Sequence, residues 1–324
     1  MSFSANTKNE LSRIILEKDC CPMAELAALV RMNGTIQISG LKNINLKFTT
    51  ENAAIARRIF TLLKDIYKTD IEVMVRKNKQ LKKNNNYLVY VNNKETTKKI
   101  LNDVGFITKE NNVFHPNYKI PKKLIKNRCC KRSYIRGAFL GGGSITNPEK
   151  TYHLEFVTGS EEHSNALKDL INSFGLKSKI VLRKEYFVVY IKESEQISDL
   201  LNIIGAHQSL LKLEDIRVLK DVRNNINRLV NCETANLSKT INASMRQIQS
   251  INQIKDSMGL GNLPDNLREV AELRLEFKDS TLKELGSMLD PPVSKSGVNH
   301  RLRKIEKIAE EIGGDYNVNS NNNK

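Results

Sequence analysis

Eight polar side chains within eleven residues carry the plainest chemistry in this chain: Ser294, Lys295, Ser296, Asn299, His300, Arg301, Arg303 and Lys304. Arginine and asparagine offer donors and acceptors in patterns that match base edges, while lysine and serine suit phosphate oxygens. Among them, Val298, Leu302, Ile305, Ile308 and Ile312 recur at spacings of 4, 3, 3 and 4, which predicts a helix with one apolar face. A helix seated on a core through that face suits the major groove of duplex DNA. A three-helix protein-binding module is the alternative for the same pattern.

The cysteines invite a second chemistry. Cys20-Cys21 precede Gly34 by the interval at which Cys129-Cys130 precede Gly143, so the pairs belong at equivalent helix starts. Four thiolates can hold zinc, but adjacent helical residues point about 100° apart and the usual ligand spacing is wider. Disulfides are disfavoured in a reducing cytoplasm. The pairs therefore read better as small, buried helix-packing residues, and Cys232 stands alone without a role. His115, His153, His163, His207 and His300 show no metal-ligand spacing, and no Ser/His/Asp set or phosphate-cradling glycine loop stands out. No metal, cofactor or small-molecule substrate is expected.

Short helices must position the C-terminal set. Pro264 can open the first, with Leu267, Val270, Leu273 and Leu275 as its apolar face. Lys278 to Ser280 makes a turn, with Ser280 as N-cap of a second helix carrying Leu282, Leu285 and Leu289. Pro291-Pro292 stops that helix, and Ser294 or Ser296 caps the third. The result is an all-α helix-turn-helix unit over 261–313, followed by an Asn-rich tail, 314–324, expected to be disordered. Between Leu263 and Ile312 nine basic residues face ten acidic ones, so positive charge is confined to the third helix. Upstream, 208–260 reads as a helical linker with an imperfect stripe of Leu211, Ile216, Leu219, Ile226 and Leu229.

Residues 1–207 repeat one pattern. Leu26 to Gly34 and Ile135 to Gly143 each close an apolar helix on glycine. Alternating strands follow at Ile44–Phe48 and Tyr152–Phe156, then helical segments at Ala53–Ile66 and Glu161–Phe174. Hairpins come next: Ile71–Val75 with Tyr87–Val91, and Lys179–Leu182 with Phe187–Ile191. Short helices ending at Gly105 and Gly205 complete two αββαββα halves, over about 9–110 and 120–207. The fold class is α+β, with Ala27, Ala28, Gly137 and Gly141 to Gly143 allowing two helix ends to pack closely at a pseudo-twofold axis.

The paired glycine-ended helices resemble the LAGLIDADG motif of homing endonucleases, over roughly Asn9 to His207. In that family the position before the glycine supplies the acid that binds the catalytic metal. Here it is Asn33 in one half and Gly142 in the other, and the nearby acids Glu25 and Glu149 have no symmetric counterparts. No catalytic residue is expected, because hard divalent ions need carboxylate ligands. The saddle that such strands form over DNA makes Arg76, Lys77, Lys79, Lys82 and Lys83, at one hairpin tip, candidates for phosphate contacts. A solvated turn is the alternative, and the opposite tip, Arg183 to Glu185, is much less basic.

Bulk properties agree with an anionic partner. Formal charge is +16, and Val73 to Arg132 holds sixteen basic against three acidic residues. No apolar run approaches a membrane span, and the polar N-terminus argues against a secretory signal, so the cytoplasm, at the nucleoid, is the expected location.

Two degenerate LAGLIDADG halves followed by this C-terminal unit resemble the WhiA family. The closest stretches are Leu263–Leu275, Thr281–Gly286, Pro291–Arg303 and Arg223–Cys232, with the Cys20-Cys21 pair. The resemblance implies a DNA-binding transcriptional regulator tied to sporulation genes, cell division and chromosome segregation, with a C-terminal unit like region 4 of sigma factors. Double-stranded DNA is the expected partner, and a sigma factor or another regulator is an alternative one. A protein-interaction scaffold and an active homing-type endonuclease are the rival readings.

Overall fold

A computed structural model describes residues 2–16, 18–39, 43–77, 85–110 and 113–320. Two compact units emerge, Met1–Asp221 and Val222–Lys324.

The first unit contains the two expected halves. In the first, α2 (Cys20–Asn33) leads into β1 (Gly34–Ser39), β2 (Asn43–Thr50), α3 (Ala53–Tyr67), β3 (Glu72–Lys77), β4 (Asn85–Val91) and α4 (Lys94–Asp103). In the second, α5 (Arg128–Gly142) leads into β7 (Gly143–Ile145), β8 (Leu154–Thr158), α6 (Glu161–Asn172), β9 (Lys179–Arg183), β10 (Tyr186–Ile191) and α7 (Ser194–Ile204). The sheets are antiparallel with matching orders, β1-β2-β4-β3 and β7-β8-β10-β9. Alternation buries one face of each: Leu46 and Phe48 opposite Val91 and Val89, then Leu154 and Phe156 opposite Ile191 and Val189.

Helices α2 and α5 pack on each other and bury consecutive residues, Ala24 to Arg31 and Ser133 to Leu140, so both are core elements although each carries charged side chains. Their approach is close enough that a Cβ at Gly137 would strike the Glu25 carbonyl and stand 3.0 Å from the Ala28 Cβ. At Gly141 it would lie 2.6 Å from the Met32 Cβ. Small residues thus hold the axis, as the repeat implied.

Several elements were not anticipated. α1 (Phe3–Leu11) buries Phe3, Thr7 and Leu11 at four-residue spacing behind an N-cap at Ser2, although the segment is polar and short. β5 (Ile107–Glu110) and β6 (Val113–Pro116) form a hairpin between the halves. α4 starts well before Leu101 because the Asn93 side chain accepts from the Thr96 N–H at 3.0 Å and caps it.

α8 (His207–Ser257) is one continuous helix over the segment expected to be a helical linker, and its ends belong to different cores. Leu213 joins the first, while Ile251 and Ile254 join the second. The boundary between the two units falls inside this helix, between Asp221 and Val222. Extending a formed helix is far easier than nucleating one, which allows its exposed middle to stay helical.

The second unit continues with α9 (Asp265–Glu276), α10 (Leu282–Met288) and α11 (Lys295–Ser320). Leu267, Val270, Ala271, Leu285, Leu289, Val298, Leu302 and Ile305 are buried together. Thr281, rather than Ser280, caps α10 in a reciprocal capping box with Glu284, and the carboxylate is held below its ordinary range by the Thr281 N–H. Helix α11 runs past Gly313 to Ser320, where the sequence suggested a disordered tail; residues 321–324 lie outside those described. Helix propagation from a packed segment accounts for the extension.

Candidate nucleic-acid interface

The C-terminal helix is aimed by its two predecessors. Buried Arg274 in α9 donates to the Ser280 carbonyl at 2.7 Å and the Lys278 carbonyl at 3.4 Å, pinning the turn between α9 and α10. The Val293 N–H donates to the Gly286 carbonyl at 2.9 Å, and a Cβ at Gly286 would collide with the Val293 carbonyl. The Ser294 Oγ then accepts from the Gly297 N–H at 3.3 Å, settling which serine caps α11.

Ser294, Lys295, Ser296, His300, Arg303 and Lys304 are exposed. Asn299 is half-buried beside them, while Val298, Leu302, Ile305 and Ala309 face the core. Arg301 departs from the set. At about 100° per residue it lies roughly 160° around the axis from Asn299, and its Nη1 donates to the Asn266 carbonyl of α9 at 3.3 Å. The helix thus presents one continuous polar face, with Arg301 on the opposite flank.

The first sheet offers a second cationic surface. Arg76 and Lys77, at the end of β3, are exposed; Lys79, Lys82 and Lys83 lie outside the described residues. Register separates the two that are seen. Arg76 shares its side of the sheet with Met74, Glu72, Tyr90 and Lys47, opposite the buried face, whereas Lys77 points the other way. The corresponding surface of the second half carries Glu155. Its carboxylate lies 3.1 Å from Arg183 Nη1 and 3.0 Å from His153 Nε2, and accepts from the Ser144 hydroxyl at 3.1 Å. Strand alternation places Glu155 on this open face opposite Tyr190, whereas Glu149 lies in the turn before the strand.

At the ends of α2 and α5 the donor set does not fit a carboxylate metal centre. Asn33 Oδ1 is buried without a hydrogen-bond partner among the described residues, and Gly142 has no side chain. Glu149 is exposed and bonded to Asn147 at 3.1 Å. Glu25 is fully buried and committed elsewhere: Arg58 grips both its oxygens, at 2.7 and 3.1 Å, and Arg136 reaches it at 3.4 Å. Arg31 is likewise structural, donating to the carbonyls of Ala27, Val104, Gly105, Asn117 and Lys119. Burial lowers the pKa values of Arg31 and Arg136.

The four paired cysteines meet where α2 and α5 begin. All four sulfurs lie within 4.8 Å of one another, with Cys20 and Cys129 at 3.8 Å and Cys129 and Cys130 at 4.0 Å. Burial raises the Cys21 thiol and pushes Cys130 up to about 12, whereas the hydrogen bond with Cys130 lowers Cys20. Cys20 is exposed, so helix packing does not account for it. Cys232 is also exposed, on α8.

A glycine-ended helix pair, two matched sheets and a helix-turn-helix unit define a two-part protein built on a LAGLIDADG-like scaffold. Comparison with known families agrees along the chain. Residues 19–107 match the WhiA N-terminal LAGLIDADG-like domain, 131–223 the WhiA LAGLIDADG-like domain, and 226–309 the WhiA C-terminal HTH domain. A relative from Alkaliphilus metalliredigens, named a probable cell division protein WhiA, is 59% identical over 97% of this chain and 99% of its own. One of the same name from Clostridium botulinum is 56% identical over 96% of this chain and 99% of its own. Among solved structures, the full-length DUF199/WhiA from Thermatoga maritima covers 96% of this chain and 99% of its own, at 28% identity and TM-score 0.58. The chain belongs to the WhiA family.

Proposed function

We propose that this protein is a sequence-specific DNA-binding regulator without nuclease activity, acting in cell division as its relatives' names indicate. Chromosome segregation and sporulation-gene control belong to the same reading. The observation that carries it is the α11 face. Lys295, Ser296, Asn299, His300, Arg303 and Lys304 stand on one side of a helix whose other side is locked into a core. Forked donors and amides on a rigid helix match base edges, and the lysines and serines match phosphates. Arg301 acts mainly by fixing α11 against α9.

The open face of the first sheet adds phosphate contacts through Arg76 and Lys47, with Lys79, Lys82 and Lys83 as further candidates. Such contacts raise affinity without reading sequence. The scaffold has lost the acids that would hold a hydrolytic metal, so binding survives without cutting. No helix among the described residues is long and apolar enough to cross a membrane, and the protein works at the nucleoid.

A second reading, a scaffold for a sigma factor or division component, draws on exposed apolar side chains of α8 such as Leu219, Ile226 and Leu229. Band shifts on a promoter-bearing duplex separate the two. Alanine at Asn299 and Arg303 abolishes the specific shift under the DNA-reading account and leaves it unchanged under the scaffold account. Incubating the same complex with Mg²⁺ tests cutting, and any metal-dependent strand break overturns the non-nuclease reading.

A further inference from the structure

We infer that Cys20, Cys21, Cys129 and Cys130 form a structural zinc site that staples the two pseudo-symmetric halves together. Four free thiols converge there from two helices separated by more than a hundred residues of sequence, all sulfurs within 4.8 Å. A tetrahedral zinc with bonds of about 2.3 Å needs sulfurs about 3.8 Å apart. Cys20 and Cys129 stand at 3.8 Å and Cys129 and Cys130 at 4.0 Å, so closing the cage takes only small side-chain movement.

Adjacent residues on a helix point about 100° apart, too far for one helix to supply all four ligands. Here each helix supplies two, from opposite sides of the α2–α5 contact. Both pairs occupy the first turn of their helix, Cys20 and Cys21 opening α2 and Cys129 and Cys130 following Arg128 in α5. Two helix N-termini therefore aim partial positive charge at the cluster, which favours thiolate over thiol. A zinc tetrathiolate carries a net −2 charge, and Lys18, Arg128, Lys131 and Arg132 flank the pairs in sequence. The Asn127 amide Nδ2, 4.0 Å from Cys20 Sγ, supplies the outer N–H contact that thiolate ligands commonly receive.

Ligand softness selects the ion. Four thiolates favour zinc over magnesium or calcium. An iron–sulfur cluster fits poorly, because its cysteines bind different irons and must stand further apart. The ion also explains Cys20, which is exposed and gains nothing from packing. The site lies at the far ends of α2 and α5 from Asn33 and Gly142, about 20 Å away at 1.5 Å per residue. It is therefore separate from the degenerate catalytic positions.

Metal analysis of the full-length, untagged protein, purified under reducing conditions from zinc-supplemented cells, tests the assignment. About one zinc per chain is expected, and replacement by cobalt should give the intense visible absorption of a tetrahedral tetrathiolate. Cys20→Ser should lose most of the metal and melt earlier, with the wild-type's sensitivity to a zinc chelator abolished. A metal-free wild-type protein that takes up no cobalt as a tetrathiolate would overturn the proposal. So would a Cys20→Ser variant that keeps the ion and its melting temperature. Should that variant fail to fold, the cobalt spectrum of the intact protein still decides.

Discussion

The two halves of the first unit share a backbone plan but not a polar interior. Glu25 in α2 and Tyr134 in α5 stand nine residues before Gly34 and Gly143, and both are fully buried. Glu25 anchors a charged network with Arg58 and Arg136. Tyr134 anchors a neutral one, its hydroxyl 2.9 Å from His163 Nε2, with Thr158 Oγ1 3.3 Å from His163 Nδ1. The open sheet faces differ likewise: Glu155 pairs with Arg183 in the second half, whereas Arg76 is in no ion pair among the described residues of the first. Apolar patterning conserves the pseudo-symmetry, and polar residues have specialised each half.

That contrast can be broken first in the core. Removing Glu25 strands two nearly buried guanidinium groups, so Glu25→Gln should cost about 3–5 kcal/mol in chemical denaturation. Tyr134→Phe removes only a neutral hydrogen bond and should cost about 1–1.5 kcal/mol. Equal losses would mean that the two interiors are interchangeable.

The axis gives a second, somewhat smaller effect. Gly137→Ala forces a methyl against the Glu25 carbonyl and should destabilise by about 1–3 kcal/mol. Gly159, with nothing within 4 Å of an added Cβ, should accept alanine within about 0.5 kcal/mol. Thermal melts of the two variants provide the comparison.

Acid sensitivity should belong to the second half. Burial lowers the His163 pKa from 6.5 to about 3, so the folded protein keeps the imidazole neutral while the unfolded chain protonates it. This contribution is complete above pH 6.5 and is lost as pH falls towards 3, at roughly 1.4 kcal/mol per pH unit. Urea denaturation at pH 7 and pH 5 should differ by about 2 kcal/mol from this group. His163→Gln should remove that part of the difference, whatever it does to stability at pH 7.

The smallest effect distinguishes the open faces. If Arg76 neutralises a phosphate, Arg76→Ala should flatten the log–log salt dependence of DNA affinity by about 0.9. Arg183, already paired with Glu155, should leave the slope unchanged on replacement.

Much of this organisation was legible in the sequence because periodicity survives where apolar faces are buried. The αββαββα order, the small-residue axis and the apolar side of α11 all follow from spacing. What escaped had another physical origin. α1 is polar, with only Phe3, Thr7 and Leu11 turned inward. α8 reads correctly as helical, but its continuation into both cores is hidden because its exposed middle carries only an imperfect apolar stripe. Arg301 looks like its neighbours on α11 until its position around the axis and its bond to Asn266 are known. The cysteine cluster was hidden because convergence across two distant helices leaves no local ligand spacing.

The most direct measurement of the central claim is selection of bound duplexes from a random pool by the full-length protein, followed by affinities for the selected and scrambled sites. The α11 account predicts an enriched motif whose preference falls by about 5- to 150-fold when Asn299 or Arg303 becomes alanine, with scrambled-site affinity changing far less. An enriched motif bound equally well by those variants, or no enrichment at all, would contradict it.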